Sequence, residues 1–283
     1  MNISLSIESF PLNTETIKDM KSFLSLFQED YSMVMQEPVW GRADARGFAV
    51  VAYTDEGKLI GFATSVDIVG LHHYEWSAIV HPDYRRQTIG SALADGIHHG
   101  HVQREAEEEL AAFIEEPGAA EFLKNLGYEA DFKEIQLGVT ALEKLDLPDG
   151  LTVAPFGGER EELESLLRAA FDEEVIPVIA HNLEQAGRDV WVMKKEGRLV
   201  ATATMIAEED ALWVTAFAVH PEQQGKGYGQ AFLSWSRNLA FIKGKQQVLL
   251  DVETDNHALR VYEKAGFVPV STVAYWKKIS VSE

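Results

Sequence analysis

There is no cysteine among the 283 residues, which excludes disulfide frameworks, thiol nucleophiles and thiolate metal sites. Positive charge is also scarce: 25 Lys and Arg stand against 45 Asp and Glu, a formal net charge of −20. Nucleic-acid partners need clustered cations to hold phosphates, and anionic membrane faces attract basic patches, so neither is expected as a partner. No window offers the eighteen or so apolar residues of a membrane span. The start, Met1-Asn2-Ile3-Ser4-Leu5-Ser6-Ile7-Glu8, alternates like a strand. It lacks the cationic head and apolar run of a secretory leader, which makes a cytoplasmic location the expectation. What is present is ordinary: 46% hydrophobic and 25% charged residues, a soluble globular composition with enough apolar mass for a sizeable core. The length fits one large domain or two of usual size, and the composition leaves the oligomeric state open.

A repeat decides between one domain and two. Leu5–Phe10 is similar to Leu151–Phe156, Glu56–Ile60 to Glu196–Val200, and Val80-His81-Pro82 to Val219-His220-Pro221. Gly90 matches Gly229, and Gly127-Tyr128 matches Gly266-Phe267. The offsets are 146, 140, 139, 139 and 139, in order along the chain. Collinearity of this kind points to one unit present twice. The turn-rich Leu147-Pro148-Asp149-Gly150, after a strand-like stretch near 132–139, sets the expected division at 1–146 and 147–283.

The second copy reads as strand 151–154, then a helix with Leu163, Leu166, Leu167 and Ala170 at helical spacing. Strands at 189–194 and 198–206 are joined by the tight turn Lys195-Glu196-Gly197-Arg198. A strand at 212–219, a glycine-rich loop, and a helix with Phe232, Trp235 and Leu239 on one face follow. Val248–Val252 reads as a buried strand, 256–265 as a helix, and 267–276 as the last strand. The expectation is an α/β fold with two tandem domains, each a central mixed sheet flanked by helices.

The sharpest chemical signal is Val219-His220-Pro221-Glu222-Gln223-Gln224-Gly225-Lys226-Gly227-Tyr228-Gly229, between a strand and an amphipathic helix. Glycines let the backbone approach an anion, and the free N–H groups at a helix start point at it. A pyrophosphate would gain hydrogen bonds and the favourable end of the helix dipole, and Lys226 could add a point charge. About thirty residues later comes Asp255-Asn256-His257-Ala258-Leu259-Arg260-Val261-Tyr262-Glu263-Lys264-Ala265-Gly266-Phe267. Gln224-x-x-Gly227-x-Gly229 followed by Ala258-x-x-x-Tyr262-x-x-x-Gly266-Phe267 resembles the GNAT superfamily of acyl-CoA-dependent N-acetyltransferases, in its order and spacing. The resemblance covers most of residues 150–280 and, more weakly, 1–145.

That resemblance implies roles for individual residues. Backbone N–H groups of Gln224, Gly225, Lys226, Gly227, Tyr228 and Gly229 would hold the pyrophosphate of acetyl-CoA, the acyl donor, with no metal required. Phe217-Ala218-Val219 would pair with the pantetheine amides, and the Phe217 N–H would face the thioester carbonyl as an oxyanion donor. Tyr262 would protonate the departing thiolate, although a tyrosine at that spacing also packs an interface. The family usually has Asn three residues before the alanine. Here Asp255 holds that place and Asn256 follows it, a departure that bears on the role of Asn256 at the cofactor. For a general base, Trp213 and Thr215 occupy one family position and cannot take a proton. Asp251 fits another, in Leu250-Asp251-Val252, and is equally readable as a solvated strand-end carboxylate. A water relay to Glu208, Glu209 or Glu253 remains a further route.

The first copy departs from the pattern at the same points. In Tyr84-Arg85-Arg86-Gln87-Thr88-Ile89-Gly90, Thr88 replaces a glycine and would crowd a phosphate; Leu123 stands in place of Tyr262, and Phe113 aligns with Asp251. A scaffolding or acceptor-shaping half is expected. His98, His99 and His101, with His72 and His73, have no carboxylate at ligand spacing and are not expected to hold a metal. Glu105–Glu109 reads as a solvated acidic connection. The reaction implied is acetyl transfer from acetyl-CoA to a primary amine by direct attack in the C-terminal half; the alternative is a non-catalytic acyl-CoA-binding or interaction module. Residues 1–145 hold 11 basic and 24 acidic side chains and the rest 14 and 21, so the excess charge lies in the first half. If that half walls the acceptor site, a cationic small-molecule or peptide amine is favoured.

Overall fold

The computed structural model describes the chain apart from residues 1–2, 69, 117, 145–146, 159, 172, 174–175, 177–186, 209, 255–258 and 280–283. Two compact units emerge: residues 1–133 with 273–283, and residues 134–272. The sequence repeat, 1–146 and 147–283, divides the chain differently, because two long strands begin in one unit and end in the other. These are β6 (Tyr128–Thr140) and β12 (Val268–Lys278).

The first unit runs β1 (Ile3–Ser9), α1 (Thr14–Leu24), β2 (Gly47–Thr54), β3 (Leu59–Asp67), β4 (His73–Val80), α2 (Ile89–Gln103), β5 (Glu108–Ile114) and α3 (Ala119–Asn125). β1 to β4 form an antiparallel meander. β5 joins β4 in parallel, as a strand must when a helix carries the chain back along the sheet. Val273–Lys277 of β12 then closes the sheet antiparallel to β5.

In the second unit the same plan recurs with β7 (Leu151–Pro155), α4 (Arg160–Ala170), β8 (Arg188–Lys195), β9 (Arg198–Ala207), β10 (Ala211–Val219), α5 (Tyr228–Ile242), β11 (Gln247–Glu253) and α6 (Leu259–Lys264). β10 and β11 are the parallel pair, and here the closing strand is residues 134–140 of β6. Each sheet is thus mixed and flanked by helices. Both closing strands carry the same pattern, so similarity between copies could not tell which unit each strand completes.

Local chemistry accounts for the pieces. Glu196 and Gly197 both have positive φ, 51° and 82°, the pair a two-residue hairpin turn needs to match strand twist. α4 buries Leu163, Leu166 and Leu167 and turns its glutamates outward. On the other face, Phe232, Leu233 and Leu239 of α5 and Tyr262 of α6 pack on Leu212, Val214 and Leu250. Burying side chains of this size contributes roughly 1.5–3 kcal/mol each, before the entropy of ordering is subtracted.

The acidic connection expected at Glu105–Glu109 is only partly solvated. Glu109, the second residue of β5, accepts hydrogen bonds from buried His101 at 2.6 Å and from the Tyr128 hydroxyl at 2.6 Å. His101 contacts Ser65 through its other ring nitrogen at 2.7 Å. Burial alone would raise the Glu109 carboxyl, but the His101 and Tyr128 hydrogen bonds outweigh it and hold the group down at about 2. Sequence spacing shows no sign of this, because Ser65, His101 and Glu109 come from a strand, a helix and another strand. Among the described residues no group of three or more His, Asp or Glu is placed to hold a metal.

Candidate active site

In the second unit β10 and β11 pair only at Ala211–Trp213 with Gln247–Leu249, among the described residues, and then part. On its other edge β10 carries a bulge. Thr215 lies opposite Thr204 and Ala218 opposite Thr202, so Ala216 and Phe217 face one residue of β9. Ala216 takes a positive φ of 47°, unusual for a residue with a Cβ. The extra residue re-aims the backbone where Phe217, Ala218 and Val219 flank the opening between the strands. No sequence rule marks an alanine as a bulge.

The loop after β10 leaves its later amides free, but not that of Gln224, which was expected at the pyrophosphate: Gln223 and Gln224 donate to the carbonyls of His220 and Pro221 at 2.8 and 3.2 Å as the short turn closes. The ring of His220 accepts from the Glu222 N–H, and the Gln224 side chain donates to the Val219 carbonyl, which folds the turn on itself. Gly225 and Gly227 have φ of 75° and 83°, and a Cβ at either would meet only open space. At Gly229 a Cβ would come within 3.3 Å of Val261 and 3.6 Å of Phe217, so this position lets α5 lie close to the strand and α6. α5 starts without a side-chain cap, and the N–H groups of Tyr228 and Gly229 make no hydrogen bond among the described residues. An exposed cradle of amides at a helix start fits a pyrophosphate. Lys226 is turned onto the loop, donating to the Glu222 carbonyl at 3.2 Å and the Gln223 side chain at 2.8 Å.

Tyr262 is 7% exposed, its ring 6.2 Å from those of Phe217 and Phe267. Burial pushes its hydroxyl up to about 12, so it keeps its proton at neutral pH. Asp251 stands on β11, on the face that carries Leu249 and, across β10, Trp213 and Thr215. Its side chain is exposed at the sheet surface, yet protein lies round one side of the carboxylate. That lost hydration, then the charge of Glu134, push the group up to about 7, against a hydrogen bond from Gln136. Glu134 and Gln136 were not expected, because they lie on the closing strand that precedes the repeat boundary. Asn256 and Glu209 fall outside the described residues.

The first unit shows the same cleft altered. Its β4 pairs with β3 without a bulge, from Tyr74 to Val80. The ladders set Ala112, opposite Tyr275, where Asp251 stands opposite Gln136, so Ala112 and not Phe113 is the counterpart of Asp251. Arg86 and Thr88 hold φ of 62° each, and Thr88 donates to its neighbour's carbonyl at 2.6 Å, so the loop keeps its conformation without glycine. A cavity of about 570 Å³ remains beside it, lined by residues that include Val80, Arg85, Thr88, Phe113 and Phe122. The crowding expected from Thr88 does not close this cleft. Its loop cations are already paired with carboxylates of the cleft lining, Arg85 with Glu116 at 4.0 Å and Arg86 with Glu121 at 3.7 Å.

Known proteins are similar to this chain in sequence and fold. Residues 186–269 match the family described as Acetyltransferase (GNAT) domain, and residues 15–128 match Acetyltransferase (GNAT) family. The mycothiol acetyltransferase of Saccharomonospora viridis is 28% identical over 256 residues, 79% of this chain and 81% of the relative. That of Geodermatophilus obscurus is 28% identical over 268 residues, 83% of each. Among solved structures, a GCN5-related N-acetyltransferase from Sphaerobacter thermophilus superposes with a TM-score of 0.71 at 16% identity, covering 97% of this chain and 95% of that one. A tandem GNAT protein from the clavulanic acid biosynthesis pathway gives 0.68 at 14% identity, covering 99% and 100%.

Proposed function

For a chain that belongs to the GNAT family of acetyltransferases in both its halves, we propose one working centre, in the second unit, that acetylates a primary amine by direct attack. The observation that carries this is the bulge at Ala216–Phe217 beside the parted strands. It is present where the glycine loop, Tyr262 and Asp251 are present, and absent where they are replaced.

Acetyl-CoA, when bound, supplies the activated acetyl thioester. The amides from Gly225 to Gly229 hold its pyrophosphate, with Gln224 closing the turn before them and Lys226 bracing the loop. Phe217, Ala218 and Val219 offer backbone groups to the pantetheine arm. The Phe217 N–H donates to the carbonyl oxygen as negative charge grows there, an interaction worth about 3 kcal/mol in comparable sites. Asp251 takes the proton that leaves the attacking amine, and Tyr262 donates one to the departing sulfur. Asn256 is assigned to the same cofactor site on family grounds. The first unit, with Ala112 and Leu123 at the two proton-transfer positions, does no chemistry in this reading. The internal ion pairs of Arg85 and Arg86 disfavour a polyanion there.

Asp251 and Glu253 place negative charge on the sheet face beside the parted strands, which favours a cationic acceptor. The relatives' name, mycothiol acetyltransferase, puts amines related to mycothiol first in an acceptor panel. Thiol release from acetyl-CoA across small amines of differing charge tests the reading; no turnover with any amine, while acetyl-CoA still binds, would reject it. Tyr262→Phe separates proton donation from packing. It keeps the ring among Phe217 and Phe267, so acetyl-CoA affinity should hold while kcat drops roughly 100-fold or more. A kcat equal to the parent's, with chemistry limiting, would return Tyr262 to a packing role.

A further inference from the structure

Asp251 shares its strand face with side chains that the family pattern does not name. In the antiparallel ladder of β6 and β11, Gln136 lies opposite Asp251 and Glu134 opposite Glu253. Ile135, Leu137 and Val139 turn to the core under α5, so residues 134 and 136 point to the other face, with Asp251. Cβ atoms directly opposite in such a ladder are about 4.5–5.5 Å apart and diagonal neighbours about 7–8 Å, which brings Gln136 into contact and Glu134 within electrostatic reach. From its place opposite, the Gln136 side chain bears on the Asp251 carboxylate as a hydrogen-bond donor, and Glu134 bears on it through its charge. Near Asp251 this face of β10 and β9 carries Ala211, Trp213, Thr215, Thr204 and Ile206, none of them charged.

The geometry points to Glu134 and Gln136 as a positioning pair for proton removal from the acceptor. Gln136 aims the Asp251 carboxylate by holding one of its oxygens. Glu134 sets a second negative charge beside it, so that Asp251 exchanges a proton with an incoming amine instead of remaining a permanent anion. The two act in opposite directions: the hydrogen bond favours the charged carboxylate, the neighbouring charge its protonated form. A base that only ever stays ionised is a weak one, whereas one balanced near neutrality serves best. This assignment rests on Asp251 being the base.

Opposed effects make a test that a merely structural role would not pass. Glu134→Gln and Gln136→Leu are made in the full chain, and the acid limb of kcat/KM for the amine is recorded against pH. The Asp251 carboxyl is titrated separately by 13C NMR, its signal assigned by loss in Asp251→Asn. Glu134→Gln should lower both midpoints by roughly one unit, and Gln136→Leu should raise both by roughly half a unit to one. Should Gln136→Leu misfold, Gln136→Met offers the same loss of donor with a more adaptable side chain. NMR midpoints that stay put, or move the same way in both variants, overturn the pair. Midpoints that move as stated while the rate limb does not follow overturn the catalytic role instead, through failure of Asp251 as base.

Discussion

Asp251→Asn should lower kcat/KM for the amine by roughly 10²–10⁴-fold and leave acetyl-CoA affinity close to the parent's. The substitution keeps the shape and removes only the capacity to take a proton. Asp251 is held near 7 chiefly by lost hydration in the cleft and then by the charge of Glu134. A base works only when deprotonated, so activity of the parent should rise as pH rises through about 7, and this limb should vanish in Asp251→Asn. The amine contributes a limb of its own at higher pH. Acceptors of graded basicity tell the two apart, because the amine limb moves with the acceptor and the Asp251 limb does not. Retention of the lower limb in Asp251→Asn would move the base to Glu208 or Glu253.

Gly227→Glu should weaken acetyl-CoA binding by roughly 100-fold or more, the equivalent of one or two lost charge-assisted hydrogen bonds. A Cβ here enters the open space above the loop where a pyrophosphate would lie, and the carboxylate adds repulsion. The fold should survive. The left-handed backbone costs a residue with a Cβ about 1–2 kcal/mol, and the chain already bears that at Thr88, with φ of 62°. Titration calorimetry with a thermal melt checks both halves of the statement. Undiminished binding in Gly227→Glu, together with loss of binding in Gly90→Glu, would transfer the cofactor site to the first unit.

Much of this site could be read from the residues because it is local. Gly225, Gly227 and Gly229 lie within one loop and helix start, Tyr262 belongs to a second short motif, and a loop shaped for a phosphate depends on backbone freedom that glycine advertises directly. The strands and helices of the second copy likewise follow from periodicity in short windows. What could not be read is what depends on pairing across distance. The bulge at Ala216 needs β9 as its ruler, and Gln136 reaches Asp251 only through a ladder between segments more than a hundred positions apart in sequence. His101 looked like a stray member of a histidine run because its partners Ser65 and Glu109 meet it only in three dimensions.

The exchange of closing strands fixes an order in time. Residues 134–272 form an uninterrupted stretch, so everything the second unit needs has left the ribosome once its last residue emerges. The first unit, although synthesised earlier, lacks Val273–Lys277 until the end of the chain arrives, and β5 waits with one edge unpaired. At about 5–20 residues per second that wait is on the order of ten seconds, long enough for an exposed strand edge to find another chain. Nascent chains stalled short of residue 273 should therefore depend on chaperones through their first half, not their second.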